Sequence, residues 1–338
     1  MDSGSERIEV FQNVIEKYGR NAMEKAVVEI LDQKYNGGKV SSALKYHAKF
    51  LRRVSPIFPA LTALSCEAAG GRREKATNIS AALTLFVEAA NLHDDIIDQT
   101  ATKYYRKTVF GKYGSDITLL AGDVLLVKGA MLLHSGGDEL SADEKKTVLD
   151  LTFSALIEIS NSAAMESKMR RKIDIEPKDY FEVIRLRAAV PEAYCKIGGI
   201  LGGGNKEIIG ALGNYGRTYG IVGTVVDDFM DLLDYRKFKN RLKNECLPLP
   251  VLCTLGSPLM RTEVKSLIEK NNVKKKDADK IADLVLHSDE SQKLKKDIIL
   301  LAEGKLEEIK KVIMKTSAPL LDLSLLLDVL TEILHNVG

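Results

Sequence analysis

Two acidic clusters carry the strongest chemical signal in the sequence: His93-Asp94-Asp95-Ile96-Ile97-Asp98 and, far along the chain, Asp227-Asp228-Phe229-Met230-Asp231. Helical residues four apart share a face, so Asp94 stacks near Asp98 and Asp227 near Asp231. Each pair makes a claw of carboxylates. The segments before them, AALTLFVEAANL and GIVGTVV, have the composition of core helices. Grouped, partly buried carboxylates repel one another and stay ionised only beside cations. Oxygen donors with retained water suit Mg²⁺, which commonly bridges to substrate phosphates. A single D-D-x-x-D can be a solvated helix end; two of them, each after an apolar helix, point to two claws around a diphosphate.

The elements that position these residues are read as helices, because apolar residues recur at three- and four-residue intervals almost throughout. The expected fold class is all-α. Pro56, Pro59, Gly70-Gly71, Gly136-Gly137, Pro177, Gly202-Gly203-Gly204, Pro248, Pro250, Pro258 and Pro319 punctuate the helices. Ser141-Ala142-Asp143-Glu144 has the form of a capping box and predicts a helix start after the Gly136-Gly137 turn. No linker or repeat interrupts the chain, so residues 1–338 are expected to form a single domain.

Composition narrows the functions available. Among 338 residues, 49 Lys and Arg against 47 Asp and Glu leave a net charge of +2, which argues against binding nucleic acid through a global positive field. Lys274-Lys275-Lys276 and the run Lys293 to Lys296 read as solvated helix faces. Cys66, Cys195, Cys246 and Cys253 form no C-x-x-C pair and are expected to be reduced thiols in a cytoplasmic protein. The opening MDSGSERIEV lacks the apolar core of a secretory signal, and the most apolar stretch, 117–133, contains Asp123 and Lys128, so no membrane span is expected. His47, His134, His287 and His335 show no partner pattern and are read as solvated or helix-terminal. The glycine-rich run 198–204 follows no strand and is read as a helix end rather than a phosphate loop.

The sequence resembles the trans-type polyprenyl diphosphate synthases, the family of farnesyl and geranylgeranyl diphosphate synthases, from about residue 40 to 255. LHDDIID looks like the family's first aspartate-rich motif, and TVFGKYG at 108–114 follows it as the family's T-V-x-x-K-Y-G does. LLAGDVLL at 119–126 matches L-A-G-D-x-L-L, and EVIRLRAAVPEAYCKIGGILGG is similar to the helix carrying the family's Lys-Thr, with Arg187-Ala188 in those places. The resemblance implies the all-α isoprenoid synthase bundle around a central cavity and the ionisation of an allylic prenyl diphosphate, helped by three Mg²⁺. It implies metal binding by Asp94, Asp98 and Asp227, with Asp95, Asp228 and Asp231 as ligands or support. Arg187 would meet the allylic diphosphate, and Arg241 sits about where a further diphosphate-binding Lys is found. Residues four and five before the first motif, Ala90 and Ala89, would floor a deep prenyl tunnel, with Phe86 the next obstruction, so chains of farnesyl length or longer are expected. A homodimer is expected on the same ground.

Departures from the family pattern concentrate on the second substrate, isopentenyl diphosphate. The family's His seven positions before the first motif is Val87, and its Arg-Arg pair reads Lys103-Tyr104. Its G-G-K-R-x-R-P segment aligns either with 50–56, which keeps Arg52 and Arg53, or with 53–59, which keeps almost nothing; Gly37-Gly38-Lys39 lies too far upstream and reads as a turn. Gly223-Thr224 replaces the usual Phe-Gln. The readings are an Mg²⁺-dependent prenyltransferase with an acceptor other than isopentenyl diphosphate, or a chain-elongating synthase in which Arg52, Arg53 and Lys103 hold that diphosphate. A terpene cyclase and a non-catalytic partner subunit complete the set.

Overall fold

The computed structural model describes residues 3–32, 38–103, 105–137, 140–270, 272–313 and 317–337, apart from the side chains at 3–5 and 259. Gly37 and Tyr104 of the sequence reading lie outside the described residues. The fold is all-α. The helices are α1 (Ser3–Leu31), α2 (Gly38–Leu51), α3 (Ile57–Ala68), α4 (Thr77–Ile97), α5 (Val109–Tyr113), α6 (Ser115–Gly136), α7 (Ala142–Met169) and α8 (Pro177–Arg187). They continue with α9 (Ala189–Leu201), α10 (Lys206–Leu233), α11 (Tyr235–Asn244), α12 (Leu249–Leu255), α13 (Pro258–Ile268), α14 (Lys275–Leu286), α15 (Asp289–Val312) and α16 (Ala318–Asn336). One antiparallel hairpin, β1 (Thr102–Lys103) and β2 (Arg106–Lys107), follows α4, with Lys103 opposite Arg106.

Two compact units share these helices. The first comprises Met1–Leu156, Pro191–Gly216 and Ile309–Leu323; the second comprises Ile157–Val190, Arg217–Glu308 and Ser324–Gly338. In the first unit α4 and α6 run antiparallel along a seam of glycines spaced by seven. A Cβ on Gly122 would lie 2.3 Å from His93 Nε2, one on Gly129 3.2 Å from the Phe86 ring, and one on Gly136 2.9 Å from Asn78 Cβ. Seven residues are two helical turns, so a side chain absent at each of these positions lets α6 lie close along the motif-bearing helix. The α6 helix is long and apolar enough to cross a membrane. Its Ala121, Gly122, Leu125 and Gly129 are nevertheless buried, and Lys128 donates to the carbonyls of Glu29 and Asp32 at 2.7 and 2.6 Å, capping α1.

The glycine run at 198–204 acts similarly. Added Cβ atoms at Gly198 and Gly202 would meet the backbone oxygens of Thr62 and Cys66 at 2.4 and 2.3 Å, so the run lets α9 lie directly on α3. The expected capping box opens α7: the Ser141 amide donates to Glu144 Oε2 at 2.9 Å, and the Glu144 amide donates back to Ser141 Oγ at 3.3 Å. In the second unit α8 stops at Arg187 because Pro191 has no N–H for the Arg187 carbonyl and its ring crowds that oxygen, and Ala188 forms the break. Cys66, Cys195 and Cys246 are buried, and all four thiols are free.

Candidate active site

The first acidic motif occupies the end of α4, where Asp98 is the C-cap and its amide donates to the Asp94 carbonyl at 2.8 Å. The helix then ends in a Schellman turn. Thr100 N–H reaches Asp95 O at 2.9 Å and Gln99 N–H reaches Ile96 O at 3.3 Å, with Gln99 in the left-handed region at φ 53° where glycine is usual. Three carboxylates therefore crowd the negative end of a helix dipole, an unfavourable placement without nearby positive charge. Asp94 and Asp98 stand one turn apart, as the spacing predicts.

Asp95 turns inward and meets Lys103 Nζ, delivered by the hairpin, at 2.7 Å. Burial pushes the Asp95 carboxyl up, with Lys103 pulling it back. Burial works against the Lys103 charge, but Asp95, Asp94 and Glu88 outweigh it and hold the ammonium above the ordinary lysine range. The Lys103 side chain is still 41% exposed. His93, ahead of the motif, packs on Gly122, with Nε2 3.3 Å from Leu119 O and 3.5 Å from Asp123.

The second unit holds the other motif near the end of α10. Burial, then the neighbouring Asp231 charge, pushes the Asp227 carboxyl up, with Lys237 and Arg241 pulling it back. Asp231 pairs with Lys237 at 3.0 Å. Phe229, between the aspartates, is fully buried, and Lys295 Nζ sits 5.3 Å from its ring centre while donating to the Val337 carbonyl.

Asp228 is occupied on both oxygens. Its Oδ1 accepts from Arg241 Nη2 and from Tyr180 OH at 3.4 Å, and its Oδ2 accepts from the Leu249 amide at the start of α12 at 2.8 Å. Arg241 is 7% exposed and also faces Glu245, Asp231 and Glu166 at 3.4, 3.6 and 3.9 Å. Burial opposes the Arg241 charge, but the surrounding acids, Asp228 foremost, hold it well above the usual value. Arg241, expected near the diphosphate, is thus a buried ion-pair hub, and Asp228, expected as a metal ligand or its support, has both oxygens engaged inside the second unit. Arg187, at the α8 end, bonds to Glu166, which is itself buried, and keeps 27% of its side chain exposed.

The other expected residues lie in the first unit. Arg52 and Arg53 lie in the exposed turn after α2, where Arg52 Nε meets Glu24 of α1 at 3.3 Å. His47 is neither solvated nor helix-terminal. It is buried on α2, 2.9 Å from Glu88 Oε2, and Asn91 donates to Glu88 Oε1 at 3.1 Å. Glu88 was the available signal: an acid inside the apolar run of α4 needs a buried partner. Glu166 and Tyr180 went unread because nothing in their local pattern marks them. Ala89 is fully buried, Ala90 half-buried, and Phe86 is wedged between Gly129 and the Phe153 ring, 6.3 Å away and edge-on.

Among the described residues no three His, Cys, Asp or Glu side chains converge as a closed metal cage. The all-oxygen donor pairs, each one turn apart at or near the end of a core helix, fit Mg²⁺ that completes its shell with water and substrate oxygens.

The sequence profile of the polyprenyl synthetase family matches residues 47–285, a span that runs through both units and holds both motifs. This chain belongs to the polyprenyl synthetase family. Its relatives are prenyltransferases, and so is this protein. It is 28% identical over 235 residues to a short chain isoprenyl diphosphate synthase of Methanothermobacter thermautotrophicus, covering 69% of this chain and 68% of that one. It is 31% identical over 175 residues to a geranylgeranyl diphosphate synthase of Sulfolobus acidocaldarius, covering about half of each chain, 52% and 53%. The fold is similar to the crystal structure of geranylgeranyl pyrophosphate synthetase from Pyrococcus horikoshii, with a TM-score of 0.80, 25% identity and coverage of 96% and 98%.

Proposed function

We propose that this prenyltransferase ionises an allylic prenyl diphosphate of farnesyl length or longer and joins the chain to isopentenyl diphosphate, as the names of its relatives suggest. The observation that carries the reading is the pair of outer aspartates in each motif, Asp94 with Asp98 and Asp227 with Asp231, each pair one helical turn apart at or near the end of a core helix. Mg²⁺ bound there would neutralise the growing negative charge of the departing pyrophosphate. The chain's residues do the rest. Arg187, partly exposed, exchanges Glu166 for an oxygen of the diphosphate, and Glu166 keeps Arg241 as a neighbour. Lys103 adds positive charge beside the first motif. Ala89 and Ala90 leave room for the prenyl chain as far as Phe86, and apolar walls keep water from the allylic cation.

A second reading, transfer to an acceptor without a diphosphate, has specific support: Val87 replaces a histidine, Arg52 pairs with Glu24, and a buried carboxylate, Glu88, stands one residue away. We further propose that the two units act as one domain in a cytoplasmic homodimer. Its contact face would be apolar residues of α6 and α7, of which Val127 is 59%, Met131 67% and Phe153 44% exposed.

The deciding experiment incubates purified protein with Mg²⁺ and geranylgeranyl or farnesyl diphosphate, with and without labelled isopentenyl diphosphate, and analyses products by mass spectrometry. A product one isoprene longer, formed only with both substrates and Mg²⁺, is expected. Pyrophosphate release without elongation selects the second reading, and inertness at every chain length overturns both.

A further inference from the structure

In each acidic motif the middle aspartate is already paired with a cation of the same unit. Asp95 meets Lys103 at 2.7 Å, and Asp228 meets Arg241. The two pairs differ in accessibility: the Lys103 side chain is 41% exposed, and the Arg241 side chain 7%. A buried guanidinium with its fork engaged by Asp228, Glu166, Glu245 and Tyr180 cannot turn to a substrate without leaving several acids unpaired in a low dielectric. Around it, Glu166, Asp227, Asp228, Asp231 and Glu245 face Arg187, Lys237 and Arg241.

We propose that Arg241, with Tyr180, is a positioning residue of the second acidic motif: it holds Asp228 inward, so that Asp227 and Asp231 take the metal and Arg241 does not bind the diphosphate. Two further contacts fix the same geometry. The Leu249 amide holds the second Asp228 oxygen at 2.8 Å, and Tyr180 OH lies 3.2 Å from Arg241 Nη2. Asp228 is thereby tied to α8, α11 and α12 at once, and the turn of α10 that carries Asp227 and Asp231 is fixed in rotation. The inference rests on the proposed metal role of that pair.

The test is a Mn²⁺ titration of the full chain in the presence of inorganic pyrophosphate, read by the electron paramagnetic resonance signal of free Mn²⁺. Asp227→Asn serves as the control and should weaken Mn²⁺ binding. Arg241→Met should raise the half-saturating Mn²⁺ concentration about tenfold, the lower end for loss of a group that orients metal ligands. Pyrophosphate affinity at saturating Mn²⁺ should stay within about twofold in that variant, because only the metal geometry is disturbed. Arg241→Lys should recover part of the loss, and Tyr180→Phe should shift Mn²⁺ binding about threefold, as expected for one hydrogen bond. Should Arg241→Met fail to fold, these two variants decide the matter.

An unchanged Mn²⁺ titration with weakened pyrophosphate binding would make Arg241 a diphosphate ligand and overturn the inference. So would a lowered melting temperature with both titrations unchanged, which marks a merely structural ion pair. If Asp227→Asn binds Mn²⁺ like the wild type, the metal reading itself fails and takes this inference with it.

Discussion

At the scale of single residues, the aspartate pairs were legible because a four-residue spacing on a helix fixes which side chains share a face, whatever the tertiary structure. Arg241 was not. Its bond to Asp228 spans 13 residues and a change of helix, so its role as buried hub appears only once α10 and α11 are placed. His47 is similar: its partner Glu88 is on another helix, and only the oddity of an acid in an apolar run hinted at it. Arg187 retains exposure beside its parking carboxylate Glu166. Arg187→Ala should therefore lower kcat/KM for the allylic diphosphate about a hundredfold while the fold persists by circular dichroism. The thiols give a pH prediction. Burial pushes Cys66 and Cys253 up to about 11 and Cys195 and Cys246 to about 12. The reactive species is the thiolate, so a raised value means an unreactive thiol at neutral pH, with reactivity growing only as pH rises toward those values. Iodoacetamide at pH 8 should label none of the four in the folded protein and all four after denaturation.

At the scale of elements, the helical pattern and the α7 capping box were readable from local sequence, while helix pairing was not. Gly122, Gly129 and Gly136 repeat at seven residues and bring α6 onto α4, a seam visible in the sequence only to a reader who already knows the partner helix. Gly122→Ala would press a methyl against the His93 ring and displace it from Leu119 and Asp123. A loss of about 1–3 kcal/mol in denaturant unfolding is expected, with Mg²⁺-dependent turnover falling more than stability alone explains. The glycine run at 198–204 shows why a motif needs its context. Without a strand before it the run makes no phosphate loop, and its glycines serve the crossing of α9 on α3. Along α4, Ala89 lies one turn and a half before Asp94, above Phe86. Ala89→Phe should shorten the longest allylic diphosphate accepted, measured as product length by mass spectrometry; an unchanged chain length would move the prenyl tunnel elsewhere.

At the scale of the molecule, each compact unit carries one acidic motif and at least one internal cation that neutralises its middle aspartate, and the family match runs through both units. The family and the fold class were legible because several motifs occur in the right order across the chain. The acceptor was not, because it depends on the surroundings of Val87, Arg52 and Arg53, where this sequence departs from the family pattern. The exposed apolar residues of α6 and α7 predict self-association: light scattering after size-exclusion chromatography should give a dimer, and Val127→Asp should give a monomer.

The central claim is that the outer aspartates of both motifs drive departure of the diphosphate. Its most direct test is the rate of pyrophosphate release from geranylgeranyl diphosphate, with Mg²⁺ and isopentenyl diphosphate present, for wild type, Asp94→Ala and Asp227→Ala. Each substitution should slow release by about a thousandfold, the scale of losing preplaced charge stabilisation, with the helical fold retained. Wild-type release rates in either variant would contradict the account.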